Sequence, residues 1–416
     1  MESNAKHFLA GKRVLVAGAG IAGLSFVTAL HKLWDPSQER PTIVLCDRDA
    51  GESTIEREGY SLSLNGTDSD TGLYALMELG LLDEILNHAV LRADKAGSFV
   101  IWTSTFKPVL SFKPTACQKL PTSNIRIARK NLRRILLDAA CQTVKLRWST
   151  SCISADRLDD GRIRVRVADH VKNCETLEEF DLVVAADGAS SKIRGYLRPA
   201  DNLDFAGAVQ MGGNARFDSS PPTPVNTNFG LVMTGDGSGC FVSPVDNQTV
   251  VWALSRREES PRPRFDSTDA KQVQEMLNEA QVLGKSISEP FSTLLNATDW
   301  STTFVLNARD KKPFQHGEKM GSVVFIGDCN HAVSPFAGNG ANLALKDGWD
   351  LAENLCKFSL LQDAIQAYDR ISEPRALATL KTSRDRIAMI HSVGLWFWLY
   401  RVVFTIMGWV LRIFGQ

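Results

Sequence analysis

Three glycine-punctuated stretches of this chain have the residue types and spacing to hold a nucleotide. The first is Gly18-x-Gly20-x-x-Gly23. Gly18 permits a tight turn, Gly20 lets a pyrophosphate approach the backbone, and Gly23 lets a helix pack close to a strand. Amides at the start of that helix then face the phosphates. Asp47, closing the next apolar run, can accept hydrogen bonds from a ribose diol. Val27 departs from the pattern, since a small residue there usually brings the helix closest to the sheet. The second stretch is Gly327-Asp328 followed by Pro335-Phe-Ala-Gly338-Asn-Gly340-Ala341-Asn342. It offers an aspartate for a ribityl or ribose hydroxyl and a helix N-terminus with free amides and partial positive charge. A reduced flavin is negative near N1 and the C2 carbonyl, which suits that helix end and favours FAD over NAD. The third stretch, Asp187-Gly-Ala-Ser-Ser-Lys-Ile-Arg194, could fix a loop and present charge beside the nucleotide.

Each stretch needs a strand before it and a helix after it. Arg13–Gly18 and Pro41–Asp47 read as buried parallel strands around a helix at Ile21–Leu33, a βαβ unit. Helical periods recur at 72–90 and 129–141. The latter puts Leu132, Ile135, Leu136 and Ala139 on one face and its arginines on the other. Strands are expected at 144–152, 161–168, 181–186 and 322–326, and a long helix at 340–358. Between about 200 and 310 the texture changes to short alternating runs separated by Pro-, Ser- and Gly-rich loops, with a helix at 268–283. The fold class is therefore α/β. A Rossmann-like nucleotide-binding domain (1–195 and 310–375) carries an inserted β-rich substrate domain (196–309), and a C-terminal helical segment (376–416) follows.

Composition narrows the function. With 416 residues, 44% apolar and 23% charged, the chain is an ordinary globular protein. Forty-seven basic residues balance 47 acidic ones, which argues against a nucleic-acid partner. Eight cysteines without a C-x-x-C pair suggest neither a disulfide framework nor a zinc cluster, so no metal is expected and the compartment is a reducing, cytoplasmic one.

The triple signature G-A-G-I-A-G (18–23), A-D-G-A-S-S-K-I-R (186–194) and G-D-C-N-H-A-V-S-P-F-A-G-N-G-A-N (327–342) resembles the class A FAD-dependent monooxygenases of the para-hydroxybenzoate hydroxylase type. It looks closest to the tetracycline-inactivating enzymes and to fungal monooxygenases of natural-product pathways. The resemblance, from about residue 12 to 375, implies that NAD(P)H reduces FAD and that O2 then forms a C4a-hydroperoxyflavin, which transfers one oxygen atom by hydroxylation or epoxidation. By position it places Asp47 at the adenosine ribose and Asp328 at the flavin side. It sets Gly338, Gly340 and Ala341 against the isoalloxazine, brings Arg129 and Ser63 to FAD, and puts the Pro335 carbonyl near the oxygen-transfer centre. Arg57 is an NADPH-phosphate candidate, and His331 a structural hydrogen-bonding residue.

No tyrosine falls in the expected substrate strands, so tyrosine-assisted phenol hydroxylation is not expected. Gln210, Arg216 and Trp252, on those strands, are the pocket candidates for a largely apolar, natural-product-like small molecule. Two rival readings share the fold: a flavin-dependent reductase or dehydrogenase of a lipophilic substrate, and a non-enzymatic lipid or prenyl chaperone. From Gly394 to Phe414 the chain is apolar almost throughout, broken by Arg401 and Arg412, which share one helical stripe. That suits a helix lying in a membrane interface or bridging the domains. Spanning would place Arg401 in hydrocarbon at a cost of about 2.5–3.5 kcal/mol.

Overall fold

The computed structural model describes residues 6–52, 59–91 and 98–413. Its centre is a five-stranded parallel sheet in the order Val323–Phe325, Leu182–Ala185, Arg13–Ala17, Thr42–Cys46, Leu146–Arg147. These strands are nearly all apolar because both faces are covered. Val14, Val16, Leu182 and Val184 meet the helix layer, which includes Ile21–Leu33, Arg129–Cys141 and Gly340–Lys357. Leu15, Ala17, Val183 and Ala185, alternating with them, meet a three-stranded antiparallel sheet, Thr150–Arg157, Ile163–Asp169 and Cys174–Phe180. The period of two along each strand thus fills two separate cores.

The second domain is built on a seven-stranded sheet in the order Thr298–Asp310, Asp204–Arg216, Thr249–Arg257, Ser238–Pro244, Phe229–Met233, Phe99–Thr103, Pro108–Phe112. Its far face carries Trp102, Met211, Val232, Val242 and Trp252, buried under the helices Ala270–Leu283 and Phe291–Asn296. Its near face carries Ala208 and Leu231, which pack with Phe336, Ile387 and Ile390.

Three boundaries differ from the sequence-based expectation. The sheet is not confined to 196–309, because Phe99–Thr103 pairs in parallel with Phe229–Met233 and brings Pro108–Phe112 with it. An apolar run such as F-V-I-W-T shows that it needs cover on both faces, not which strand supplies it. The period at 72–90 breaks into Gly72–Leu79, Leu82–Asn87 and a short strand Ala89–Leu91, since Gly80 adopts φ +81° and ends the first helix. Helix Leu361–Ile390 runs unbroken across the expected boundary at 375. The last helix, Gly394–Ile413, lays Phe397, Tyr400, Phe404 and Leu411 on Ile101, Leu110 and Met233 at the sheet edge. Gly408 permits this approach: a Cβ there would lie 2.8 Å from the Val109 carbonyl oxygen.

Candidate active site

Two of the three glycines at 18–23 serve the fold and one leaves room. A Cβ on Gly18, whose φ is +111°, would sit 2.3 Å from the Ala186 oxygen, and one on Gly23 would sit 2.1 Å from the Gly18 oxygen. A Cβ on Gly20 would meet nothing within 4 Å. Gly20 also opens helix Ile21–Leu33 with no side-chain cap and no acidic residue in the first turn. An anion is therefore the natural complement to those amides. Val27, the departure from the motif, is fully buried. The same helix approaches helix Gly340–Lys357 closely, and a Cβ on Gly348 would lie 2.6 Å from the Phe26 nitrogen.

Asp47 lies beside this loop, its Oδ2 accepting the Ala19 N–H at 2.7 Å and its Oδ1 the Asp49 N–H at 2.8 Å. Arg133 clamps the same assembly. Its Nε donates to the Ala19 oxygen at 3.0 Å, and Nη1 and Nη2 reach Asp49 at 2.7 Å and Asp47 at 3.4 Å. The sequence puts the arginines of helix 129–141 on the face opposite its apolar residues, yet Arg133 is buried. Its four-residue spacing from Arg129, one helical turn, is the signal that could have paired the two. Arg129 opens that helix with its guanidinium 5.8 Å from the centroid of the Tyr60 ring.

The second and third stretches are stitched together. Asp187 accepts the Lys192 N–H at 2.9 Å and the Cys329 thiol at 3.1 Å, while the Gly188 N–H donates to Cys329 Sγ at 2.9 Å. Arg194, also buried, donates to the Cys329 carbonyl at 2.8 Å. Burial first, and then Asp187, push the Cys329 thiol far above its usual pKa, so it remains a donor. Asp187 and Arg194 thus act on loop geometry.

Asp328 follows Gly327, which takes φ +61°. Asp328 is exposed, and the protein around it raises its pKa against the opposing pull of His331 and Arg129. The loop behind it hangs on Asp347, a fully buried carboxylate absent from the sequence-based candidates. Asp347 accepts the Gly327 N–H at 2.8 Å and hydrogen bonds from Ser372 and Arg375 at 3.0 Å each, and faces His331 Nε2 at 2.6 Å. Burial alone would raise Asp347, but His331 and Arg375 hold it well below the usual carboxylate range. Burial alone would lower His331; Asp347 and Asp328 outweigh it and raise the imidazole. His331 is accordingly a structural partner.

Helix Gly340–Lys357 begins without a side-chain cap and without an acid in its first turn. Gly338, at φ +61°, turns the chain into it, after Pro335 opens a short 3-10 turn with Phe336 and Ala337; Ala341 is buried in the first helical turn. Asn342, on that helix, accepts the N–H groups of Asn65 at 2.8 Å and Gly72 at 3.2 Å and donates to the Ser63 carbonyl at 3.0 Å. Ser63 also accepts a 2.7 Å hydrogen bond from Arg126. Its side chain is therefore engaged within the protein and its strand is fixed to the helix start. Arg57 lies outside the described residues.

These features fit FAD: two uncapped, acid-free helix starts, open space over Gly20, and exposed Asp328 beside Gly327, at which a Cβ would lie 3.1 Å from Ala22 on the first helix and 3.8 Å from Ala344 on the second. Asp328→Ala is expected to weaken FAD binding by about 10–100-fold, the loss of one charge-assisted hydrogen bond. Flavin absorbance after titration of the apoprotein measures this, and full occupancy at wild-type affinity would refute a role for Asp328.

The pocket candidates divide. On strand Asp204–Arg216, Met211 and Ala215 belong to the far-face core and Ala208 to the near face. Gln210, half-buried, shares the parity of Ala208 and so faces the Phe336 loop. Trp252 does not: it is fully buried on the far face, donating to Thr298 Oγ1 at 2.8 Å and packing edge-on against Phe291. Arg216 is 70% exposed at the strand end, 3.7 Å from Asp299. Both are withdrawn from the pocket: Trp252 because alternation fixes opposite faces without saying which one is inward, and Arg216, which shares the parity of Gln210, because it ends the strand in the open. Trp252→Phe should lower stability by about 1–3 kcal/mol, measured by denaturant unfolding, through the lost indole hydrogen bond and the space left by the smaller ring. The Thr298 hydroxyl keeps its bond to the Leu294 carbonyl. A residue missed by sequence reasoning is His391, whose ring meets Phe336 edge-on at 5.6 Å. Its Nε2 accepts from Ser255 at 2.9 Å, while Nδ1 donates to the Ile387 carbonyl at 2.7 Å. Burial lowers it to about 4, so it is neutral at physiological pH.

Comparison with known proteins agrees with this geometry. Residues 12–383 match the family described as FAD binding domain. The chain is 45% identical over 394 residues to monooxygenase cfoF of Aspergillus candidus, covering 94% of each, and 26% identical over 417 residues to the FAD-dependent monooxygenase adaC of Aspergillus niger, covering 91% and 93%. Among solved structures, Klebsiella pneumoniae HpxO complexed with FAD and uric acid superposes with a TM-score of 0.74 at 18% identity, over 97% and 95% of the two chains. The tetracycline destructase Tet(55) gives 0.68 at 16%, over 96% of each.

Proposed function

Because the chain belongs to the FAD-binding-domain family and is a class A FAD-dependent monooxygenase, we propose that it consumes NAD(P)H and O2 to place one oxygen atom on a largely apolar, natural-product-like substrate. FAD, once bound, would supply the redox chemistry that links nicotinamide, O2 and substrate, with one oxygen atom for the substrate and the other for water. The protein's part is to hold and enclose. In this reading the amides opening Ile21–Leu33 receive the pyrophosphate and Asp47, held by Arg133, the ribose. Asp328 takes a hydroxyl on the flavin side, and Arg129 lends positive charge nearby. Gly338, Gly340 and Ala341 lie against the ring, with the Pro335 carbonyl beside the reacting centre.

The single observation that supports an apolar substrate is the apolar cluster where the near face of the sheet meets the Pro335–Ala337 turn. Ala208, Leu231 and Phe336 pack there with partly buried Phe99 and Phe241, and Gln210 shares their side of the sheet. Such a surface excludes water, which protects an oxygen-activating site from unproductive discharge. Gln210 would orient the substrate by one hydrogen bond. His391, neutral and already bonded at both nitrogens, positions Phe336 instead of moving a proton.

The test is a substrate screen for accelerated NADPH oxidation with matched O2 uptake, followed by mass spectrometry. A product heavier by one oxygen supports the proposal. NADPH oxidation that reduces the substrate without O2 uptake would favour a reductase, and a protein purified without yellow flavin would favour a lipid chaperone.

A further inference from the structure

The C-terminal helix Gly394–Ile413 is covered on one side only. Phe397, Tyr400, Phe404 and Leu411 pack on the sheet edge, and Gly408 touches strand Pro108–Phe112. The opposite side is apolar and bare: Leu395 is 73% exposed, Trp396 67%, Trp398 63%, Trp409 67% and Ile413 77%, with Ile406 between them. A contiguous apolar surface with three tryptophans is more than an ordinary monomer leaves uncovered. We propose that this face lies in the plane of an anionic lipid bilayer, its tryptophans sunk to the level of the glycerol backbone and the rest of the protein in water.

Charge and packing select that occupant. The segment 394–413 contains Arg401 and Arg412 and no acidic residue. Arg401 is exposed at the border of the bare face, and Lys107 and Lys113, both exposed, flank the strand on which the helix rests. Asp236, which bridges to Val393 just before the helix, has its carboxylate occupied by Thr234, Ser238 and Ser286. The rim is therefore cationic, the complement of lipid phosphates, and tryptophan prefers the boundary between headgroup and hydrocarbon. A second copy of this chain complements it poorly. In a two-fold contact each Arg401 would meet the same acid-free patch. Crossing the bilayer is disfavoured too. The helix has the length and hydropathy to do so, but its packed residues run from Phe397 to Leu411. Insertion would strip that entire face from the sheet and carry Arg401 into hydrocarbon.

The experiment uses the full-length, FAD-loaded protein with phosphatidylcholine vesicles, with and without phosphatidylserine. Binding should be about tenfold or more stronger with phosphatidylserine and should shift tryptophan emission to the blue. The triple variant Trp396→Ala, Trp398→Ala, Trp409→Ala should lose about tenfold or more of that binding. Arg401→Glu should lose the preference for phosphatidylserine. All four side chains are exposed, so flavin content and thermal midpoint should be unchanged in both variants, which separates lost docking from lost folding. The proposal falls if vesicles are not bound. It falls equally if the triple variant binds as well as the native protein, or if the protein instead sedimentates as a dimer that the triple variant dissolves. Resistance to alkaline carbonate extraction from membranes would overturn it in favour of a spanning helix. None of these readouts depends on the identity of the substrate.

Discussion

Gly20→Val yields a protein that folds normally and binds almost no FAD. The added side chain meets no protein atom within 4 Å of its Cβ and occupies backbone of ordinary extended conformation, φ −83° and ψ −174°. Nothing in the apoprotein resists it, and its thermal midpoint should match that of native apoprotein. The same side chain fills the space over an uncapped helix start where a pyrophosphate would come against the backbone. FAD affinity should drop by about 100-fold or more, that is, about 2.7 kcal/mol or more. Gly23→Val is the contrasting control: its Cβ would press on the Gly18 carbonyl at 2.1 Å, a backbone atom that cannot step aside. That variant should fail to accumulate in soluble form. Native flavin affinity in Gly20→Val, measured by titrating the apoprotein, would remove the pyrophosphate from this loop.

Asp347→Ala should be the most destabilising single substitution near the site, by about 3–5 kcal/mol, the usual consequence of removing one partner from a buried ionic network. It leaves the Gly327 N–H and the Ser372 hydroxyl without this acceptor and takes from His331 the carboxylate that raises its pKa. Arg375 retains Asp350 at 2.8 Å, which limits the damage on that side. The pH dependence has a defined sign. The Asp347 carboxyl is depressed in the folded protein, so its contribution is complete above its unfolded value near 3.8 and is lost as pH falls through the lower folded value. The His331 imidazole is raised, so its contribution is complete below its unfolded value near 6.5 and is lost as pH rises through the higher folded value. The stability difference between native and variant should therefore be largest between these limits and shrink on both sides. Denaturant unfolding at several pH values measures it, and a difference that ignores pH would mean that the pair carries no charge.

What was legible in the chain was local. Each nucleotide-facing stretch is a strand, a turn and a helix contiguous in sequence, so Gly18, Gly327 and Gly338 announced their turns and the long helix after Gly340 its period. What was not legible arises from contacts between distant segments. Arg133 reads like any helix-surface arginine until strand Thr42–Cys46 brings Asp47 and Asp49 beneath it. Asp347 and Arg375, 28 residues apart on two helices, meet only when those helices pack. Trp252 and Gln210 alternate correctly along their strands, but the inward face of an inserted sheet is decided by the domain against which it docks. The family resemblance supplied the cofactor, and it could not supply the residues that merely hold the cofactor's loops in place.

The central sheet has a temporal consequence. Strand Arg13–Ala17 is synthesised about 300 residues before Val323–Phe325, which must still join its neighbour Leu182–Ala185. The loop that carries Asp328 lacks its support until helix Leu361–Ile390 delivers Arg375 to Asp347. A nascent polypeptide thus lacks this support for the prosthetic group until helix Leu361–Ile390 has been made, and yellow colour marks a chain that has passed that point.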